Sequence, residues 1–312
     1  MQRRQRSGMV LLTTVALGLA ACGAGGGAGG APGADGPRVV VTTNILGDVV
    51  GVIVGDDAEL EVVMPVGSVP HEFEPAAQQA SSMRDADALI TSGDGFEEGL
   101  VDAIEAAEAD DVAVFEAASA VETLELGGGE AGGSPDPHWF TDPVRMATAA
   151  QAIAEFLVDN VEGLDADDIR SRADDRAREL RALSEEMTDT LSSIPEPKRK
   201  LVTNHEVFGY FAERFDFEVV GALIPGGTTL AEPSAAEIAE LADLVVEEDV
   251  PAIFADSDQP DQLAESLAEE VGRDVEIVAL FTESLGDDGS GAETYVAMMR
   301  QNAERIAEAL SG

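Results

Sequence analysis

Residues 166–194 place apolar side chains at Ile169, Ala173, Ala177, Leu180, Leu183, Met187, Leu191 and Ile194, in the steps of three and four that line one face of an α-helix. At 1.5 Å per residue this predicts a rod about 43 Å long. Pro195 and Pro197 stop it. Too little leucine and the early stop argue against a coiled-coil arm. No other stretch predicts a helix of this length, and the sequence on its two sides is alike. The spacing therefore predicts a rigid connector, residues 164–196, between two similar lobes.

Each lobe alternates short runs rich in Val and Ile with amphipathic stretches. Residues 39–42, 60–64, 88–91 and 112–115 read as buried strands, with helices such as 96–107 among them. Asp142 and Pro143 open a further helix over 144–158, as N-cap and first helical residue. Beyond the connector, strands are expected at 200–203, 219–223, 252–255 and 276–280, and helices at 206–215, 235–247, 262–271 and 293–310. Such alternation implies an α/β fold, each lobe a mostly parallel sheet flanked by helices. The lobes are expected over 38–163 and 197–312, with a cleft between them.

Ahead of the first lobe, Arg3, Arg4 and Arg6 precede an apolar run over 8–19 that is too short to span a bilayer. Leu19-Ala20-Ala21-Cys22 follows and resembles a bacterial lipobox, in which the cysteine sulfur is acylated and cleavage makes it the N-terminus. This predicts a signal peptide over 1–21 and a Gly/Ala-rich tether over 22–37, holding an extracytoplasmic protein to the membrane through lipid on Cys22. Cys22 is the only cysteine, so neither an internal disulfide nor a cysteine-rich metal cluster is available.

The net charge of −44, with Lys198 and Lys200 the only lysines, excludes a nucleic-acid partner and a basic membrane-binding stripe. A solvated, monomeric protein is expected.

Chemistry concentrates on the three histidines of the chain, His71, His138 and His205. Ligands of open α/β sheets bind beyond the carboxyl ends of strands. His71 lies past the strand at 60–64, His205 past that at 200–203, and Glu283 past that at 276–280. His138 sits in the loop before the helix at 144–158. Each lobe thus offers two groups to the cleft, and three imidazoles with one carboxylate make a zinc set. Glu72, Glu74 and Glu206 stand beside histidines as candidate hydrogen-bond acceptors. Trp139, Phe208, Tyr210, Phe211, Met298 and Met299 are assigned to packing.

Four segments, Pro70-His71-Glu72-Phe73-Glu74-Pro75, Asp136-Pro137-His138-Trp139-Phe140-Thr141-Asp142-Pro143, Asn204-His205 through Phe208-Gly209-Tyr210-Phe211, and Phe281-Thr282-Glu283-Ser284-Leu285-Gly286, resemble the metal-binding proteins of ABC importers for zinc and manganese. Thr294-Tyr295, Met298-Met299 and Asn302 fit as well, so the resemblance spans essentially the whole chain after the tether. It implies a receptor that holds one ion between two lobes and delivers it to a membrane permease driven by an ATPase. Manganese members usually carry glutamate at the position of His205, so the resemblance favours Zn2+ as the bound substrate, with Mn2+ the alternative. The family usually has aspartate where Glu283 stands, which keeps Asp256 as a reserve fourth ligand. Many zinc members carry a histidine-rich loop before the second ligand; residues 127–134 hold no histidine.

Two other functions compete. A zinc hydrolase can use three histidines and a carboxylate, but His205-Glu206 lacks the second histidine of His-Glu-x-x-His, and no Ser-His-Asp set is available. An adhesion lipoprotein with structural zinc would carry the same residues.

Overall fold

The computed structural model describes residues 36–127, 132–226, 229 and 233–311. The signal segment, Cys22, the tether up to residue 35 and Glu130 lie outside the described residues. Among the described residues no helix is long and apolar enough to cross a membrane.

The first half runs β1 (Arg38–Val41), α1 (Asn44–Val54), β2 (Glu59–Val62), α2 (Ala77–Arg84), β3 (Ala88–Thr91), α3 (Val101–Ala109), β4 (Ala113–Glu116) and α4 (Pro143–Asn160). Then comes α5 (Ala166–Leu191), followed by β5 (Lys200–His205), α6 (Gly209–Phe215), β6 (Glu218–Ile224), α7 (Ala235–Glu247), β7 (Ala252–Asp256), α8 (Gln262–Val271), β8 (Glu276–Leu280) and α9 (Tyr295–Ser311). Two four-stranded sheets result, ordered β2-β1-β3-β4 and β6-β5-β7-β8. Every pairing within them is parallel.

Side-chain alternation along the strands sorts the apolar residues into three cores. Val40 and Leu89 face α2 and α3, packing with Met83, Leu100 and Ala107. Val202, Ile253 and Ala255 face α7 and α8, packing with Leu241, Val245 and Leu267. The alternate residues, Val39, Val41 and Ile90 from one sheet and Leu201, Ala252 and Phe254 from the other, belong to a single central core that also takes in α1, α4, α5 and α9. The two sheets are therefore joined by a shared apolar layer and not by a bare connector.

Helix α5 forms because Asp165 caps it, accepting from the backbone N–H groups of Asp167 and Asp168, and because its stripe is buried from Ile169 to Leu191. At 26 residues it is about 39 Å long. It ends earlier than the apolar spacing predicts. Ser192 and Ser193 turn their hydroxyls onto the carbonyls of Asp189 and Thr190, competing with the helical backbone, while Ile194 stays buried outside the helix.

The stripe also includes a charged residue. Arg176, only 5% exposed, pairs with Asp48 of α1, and Asp48 accepts from the Tyr295 N–H at the start of α9. One ion pair thus ties three helices. Replacing Arg176 by alanine leaves the largely buried Asp48 without its charge partner and is expected to cost about 3 kcal/mol. The check is the melting midpoint of metal-free protein, and an unchanged midpoint refutes the assignment.

Candidate metal centre

All four sequence-designated groups meet at the carboxyl ends of the strands. His71 lies in a 3₁₀ turn, Pro70–Glu72, beyond β2; His138 caps the 3₁₀ turn Trp139–Thr141 ahead of α4; His205 is the last residue of β5; Glu283 lies three residues beyond β8. One ligand atom from each lies within 4.8 Å of the others, and all four side chains are buried. Glu283 Oε1 is the hub, 2.9 Å from His71 Nε2, 3.3 Å from His138 Nε2 and 3.2 Å from His205 Nε2. Zinc bonds of about 2.0–2.1 Å in a tetrahedron require donor separations of about 3.3 Å. The spacing fits.

The hydrogen-bond inventory points the same way. Both ring nitrogens of His71, both of His205 and Glu283 Oε2 are buried without a hydrogen-bond partner. Orphaned donors and acceptors of this kind cost about 1–3 kcal/mol each unless something fills the gap. A cation would take the lone pair of one nitrogen in each ring and of a carboxylate oxygen, while the other ring nitrogen carries the N–H. Among the described residues no other group of three or more such side chains gathers in this way. Asp256, at the end of β7, is buried but stands outside the four-atom group.

His138 is the best-held histidine. Asp136 Oδ1 lies 2.8 Å from its Nδ1 and also accepts its backbone N–H at 3.0 Å. The Asp136 carbonyl is in turn held by the Tyr210 hydroxyl of α6 at 2.7 Å, and Tyr210 accepts from the Leu124 N–H. Gly209 is required beside it, because a Cβ there would come within 2.6 Å of Asp136 Oδ2. Phe96 closes the site edge-on, its ring 5.2 Å from that of His71 and 5.7 Å from that of His138.

Burial alone would lower the His138 pKa, yet its bonds to Asp136 and Glu283 hold it up at about 9. Burial would raise Glu283, but the surrounding histidines, His205 foremost in charge, keep its carboxyl well below the usual range. Burial and the Glu283 charge push Asp256 up to about 6. At neutral pH the empty centre thus pairs an anionic Glu283 with a protonated His138, whose proton an incoming cation displaces.

Some neighbours differ from expectation. Glu72 accepts from the Thr229 hydroxyl, while the carboxylate nearest His71 Nδ1 is Glu98, at 3.5 Å. Trp139, Phe208, Tyr210, Phe211, Met298 and Met299 are all buried in the central core, as expected of packing residues. Asp136 could have been singled out from its place two residues before His138.

Residues 39–309 match the family described as zinc-uptake complex component A, periplasmic. The chain belongs to the zinc-uptake component A family. Manganese-binding lipoprotein MntA of Halalkalibacterium halodurans is 30% identical over 96% of this chain and 97% of its own. Manganese ABC transporter substrate-binding lipoprotein PsaA of Streptococcus pneumoniae is 28% identical over 97% of each. Zinc-binding protein TroA of Treponema pallidum is 30% identical over 89% of this chain and 90% of its own. The solved TroA structure has a TM-score of 0.82 at 28% identity, covering 89% of this chain and 100% of that one. Membership of the zinc-uptake component A family makes the protein a metal-binding, solute-receptor type and not an enzyme, and the hydrolase alternative falls. The printed names of these relatives divide between manganese and zinc.

Proposed function

We propose that the protein captures one Zn2+ outside the cytoplasm with His71, His138, His205 and Glu283 and delivers it to the permease and ATPase of an ABC importer, while lipid on Cys22 keeps it at the membrane. The convergence of three imidazole nitrogens on one carboxylate oxygen, with five buried polar atoms left unpartnered, is the observation that carries this reading. Nitrogen-rich sets suit zinc, whereas manganese prefers oxygen. Sequence likeness to lipoproteins of ABC importers supports the anchor and the partners. The residue spans expected from the sequence, lobes over 38–163 and 197–312 with a connector over 164–196, are kept as part of the proposal. A manganese receptor is the second reading, favoured by the names of MntA and PsaA.

Capture replaces the hydration shell of the ion by four protein donors, two from each sheet. Because the central core is shared between the sheets, large hinge opening would expose apolar surface. The motion that admits the ion is accordingly a small tilt or a local loop movement. Metal-free protein titrated with zinc and manganese in competition is expected to take up one zinc per chain, reversibly removed by a chelator, with manganese displaced. Preferential retention of manganese overturns the zinc assignment. A stoichiometry of zero for both overturns the site.

A further inference from the structure

We propose that Asn44 is a positioning residue of this centre, its carboxamide latching the loop that carries His71 to the loop that carries Glu283. The inference rests on the four-ligand reading above.

Asn44 opens α1, but the helix does not use its side chain, since Thr43 is the N-cap and accepts from the Leu46 N–H. Every bond the carboxamide makes goes to a loop instead. Nδ2 donates to the Pro65 carbonyl at 3.1 Å and to Ser284 Oγ at 3.2 Å, and Oδ1 accepts the Leu285 N–H at 2.8 Å. Ser284 Oγ also accepts the Gly67 N–H at 2.8 Å, stitching the two loops directly. Gly67 has a φ of +79°, a conformation open to glycine, and it lies on the chain between β2 and His71. Asn44 and Ser284 are 7% and 0% exposed.

A second amide grips the other side of Glu283. Asn302 of α9 accepts the Phe281 N–H at 3.0 Å and donates to the Phe281 carbonyl at 2.6 Å. Only Thr282 and Glu283 lie between the two anchors. Phe281 is thus fixed from the second half of the chain, and Ser284 and Leu285 from the first. Without Asn44, the Leu285 N–H loses its acceptor and the link to the Pro65 carbonyl is cut, which leaves the Gly67–Ser284 bond as the remaining hold of the first half on the Glu283 arm. Its 2.9 Å approach to His71, the contact that joins ligands of the two loops, would be the first to open.

Metal leaves a site of this kind by releasing one ligand at a time. A latch that keeps Glu283 and His71 together acts on departure of the ion more than on its arrival. Asn44→Ala is therefore expected to raise the zinc dissociation rate by about tenfold, the scale of groups that support metal ligands, while the association rate stays within about twofold. Ser284→Ala, which spares the start of α1, is expected to do the same, and the double variant to add little, because both changes cut one network. With cobalt(II) as probe, both variants are expected to shift the d–d absorption of the bound ion, which a remote loss of stability does not move.

The experiment uses the whole metal-free chain, zinc loading followed by chelator-triggered release, with wild type and His205→Ala in the same series. Faster release with unchanged association and a shifted cobalt spectrum supports the latch. Release within about twofold of wild type, or an unshifted spectrum, overturns it. Wild type that takes up no zinc, or His205→Ala that keeps it, overturns the four-ligand reading instead.

Discussion

Replacing His205 by alanine lowers the affinity for zinc by about a hundredfold or more and leaves the metal-free fold in place. Zinc sites of four ligands are worth about 10–16 kcal/mol in total, so one ligand carries about 3 kcal/mol, or two decades in affinity. The metal-free consequence is of a different kind. Both ring nitrogens of His205 are buried without a well-formed hydrogen bond, and the contact of Nε2 with Glu283 Oε1 at 3.2 Å compensates the imidazole only in part until an ion arrives. Removing the ring leaves a cavity at a fully buried position but also removes two poorly compensated polar atoms. These terms oppose, and the melting midpoint of metal-free protein is expected to change little. What disappears is the rise in midpoint that zinc gives wild type through mass action. Chelator competition and paired melts with and without zinc measure both parts. An affinity within about threefold of wild type refutes His205 as a ligand.

That asymmetry, a site costly when empty, was only half legible in the sequence. Strand periodicity and the α5 stripe carried the fold, because buried parallel strands and an amphipathic helix write their packing into every second or third residue. Residues with rare chemistry were also visible: three histidines in local motifs needed no geometry to attract notice. Three-dimensional company was not. Asn44 and Ser284 stand 240 residues apart, and no spacing rule relates them. The helix α1 went unnamed among the expected elements, although its apolar residues Ile45, Val49, Val50 and Ile53 belong to the central core. The expected helix at 206–215 begins at Gly209, because His205 still pairs with Ile224 as the end of β5 and a tight turn, Val207 N–H to the His205 carbonyl, must intervene. The acidic surface likewise hid Glu98 among 62 carboxylates. Asp136 has its place two residues before His138 to mark it, whereas only the fold brings Glu98 to His71.

Zinc affinity is expected to climb with pH well beyond the range of an ordinary histidine. Free imidazole titrates near 6.5, and a site of such histidines would reach full affinity just above that. Here His138 is held at about 9, because the bonds from Asp136 and Glu283 outweigh its burial. Zinc needs the Nε2 lone pair, so below about pH 9 binding must expel a proton. One proton released per ion means about tenfold in affinity per pH unit, or about a hundredfold between pH 6.5 and 8.5. The stability of metal-free protein runs in the opposite sense. A folded pKa raised from 6.5 to about 9 gives stabilisation that is complete below 6.5 and is lost as pH rises through 9. Glu283, lowered from 4.5, gives stabilisation that is present above 4.5 and is lost as pH falls through its folded value. The pair therefore supports the empty site best between 4.5 and 6.5. Raising the pH weakens the metal-free centre while strengthening its hold on the ion. Chelator competition at pH 6.5, 7.5 and 8.5, with the chelator's own protonation taken into account, measures the slope, and an indicator dye in weak buffer counts the proton. Affinity that is flat across that range, with no proton released at pH 7.5, would show that His138 is already neutral before zinc arrives. Asp136→Asn supplies the internal control: without that carboxylate the plateau should move to lower pH, since Glu283 alone then holds the imidazolium.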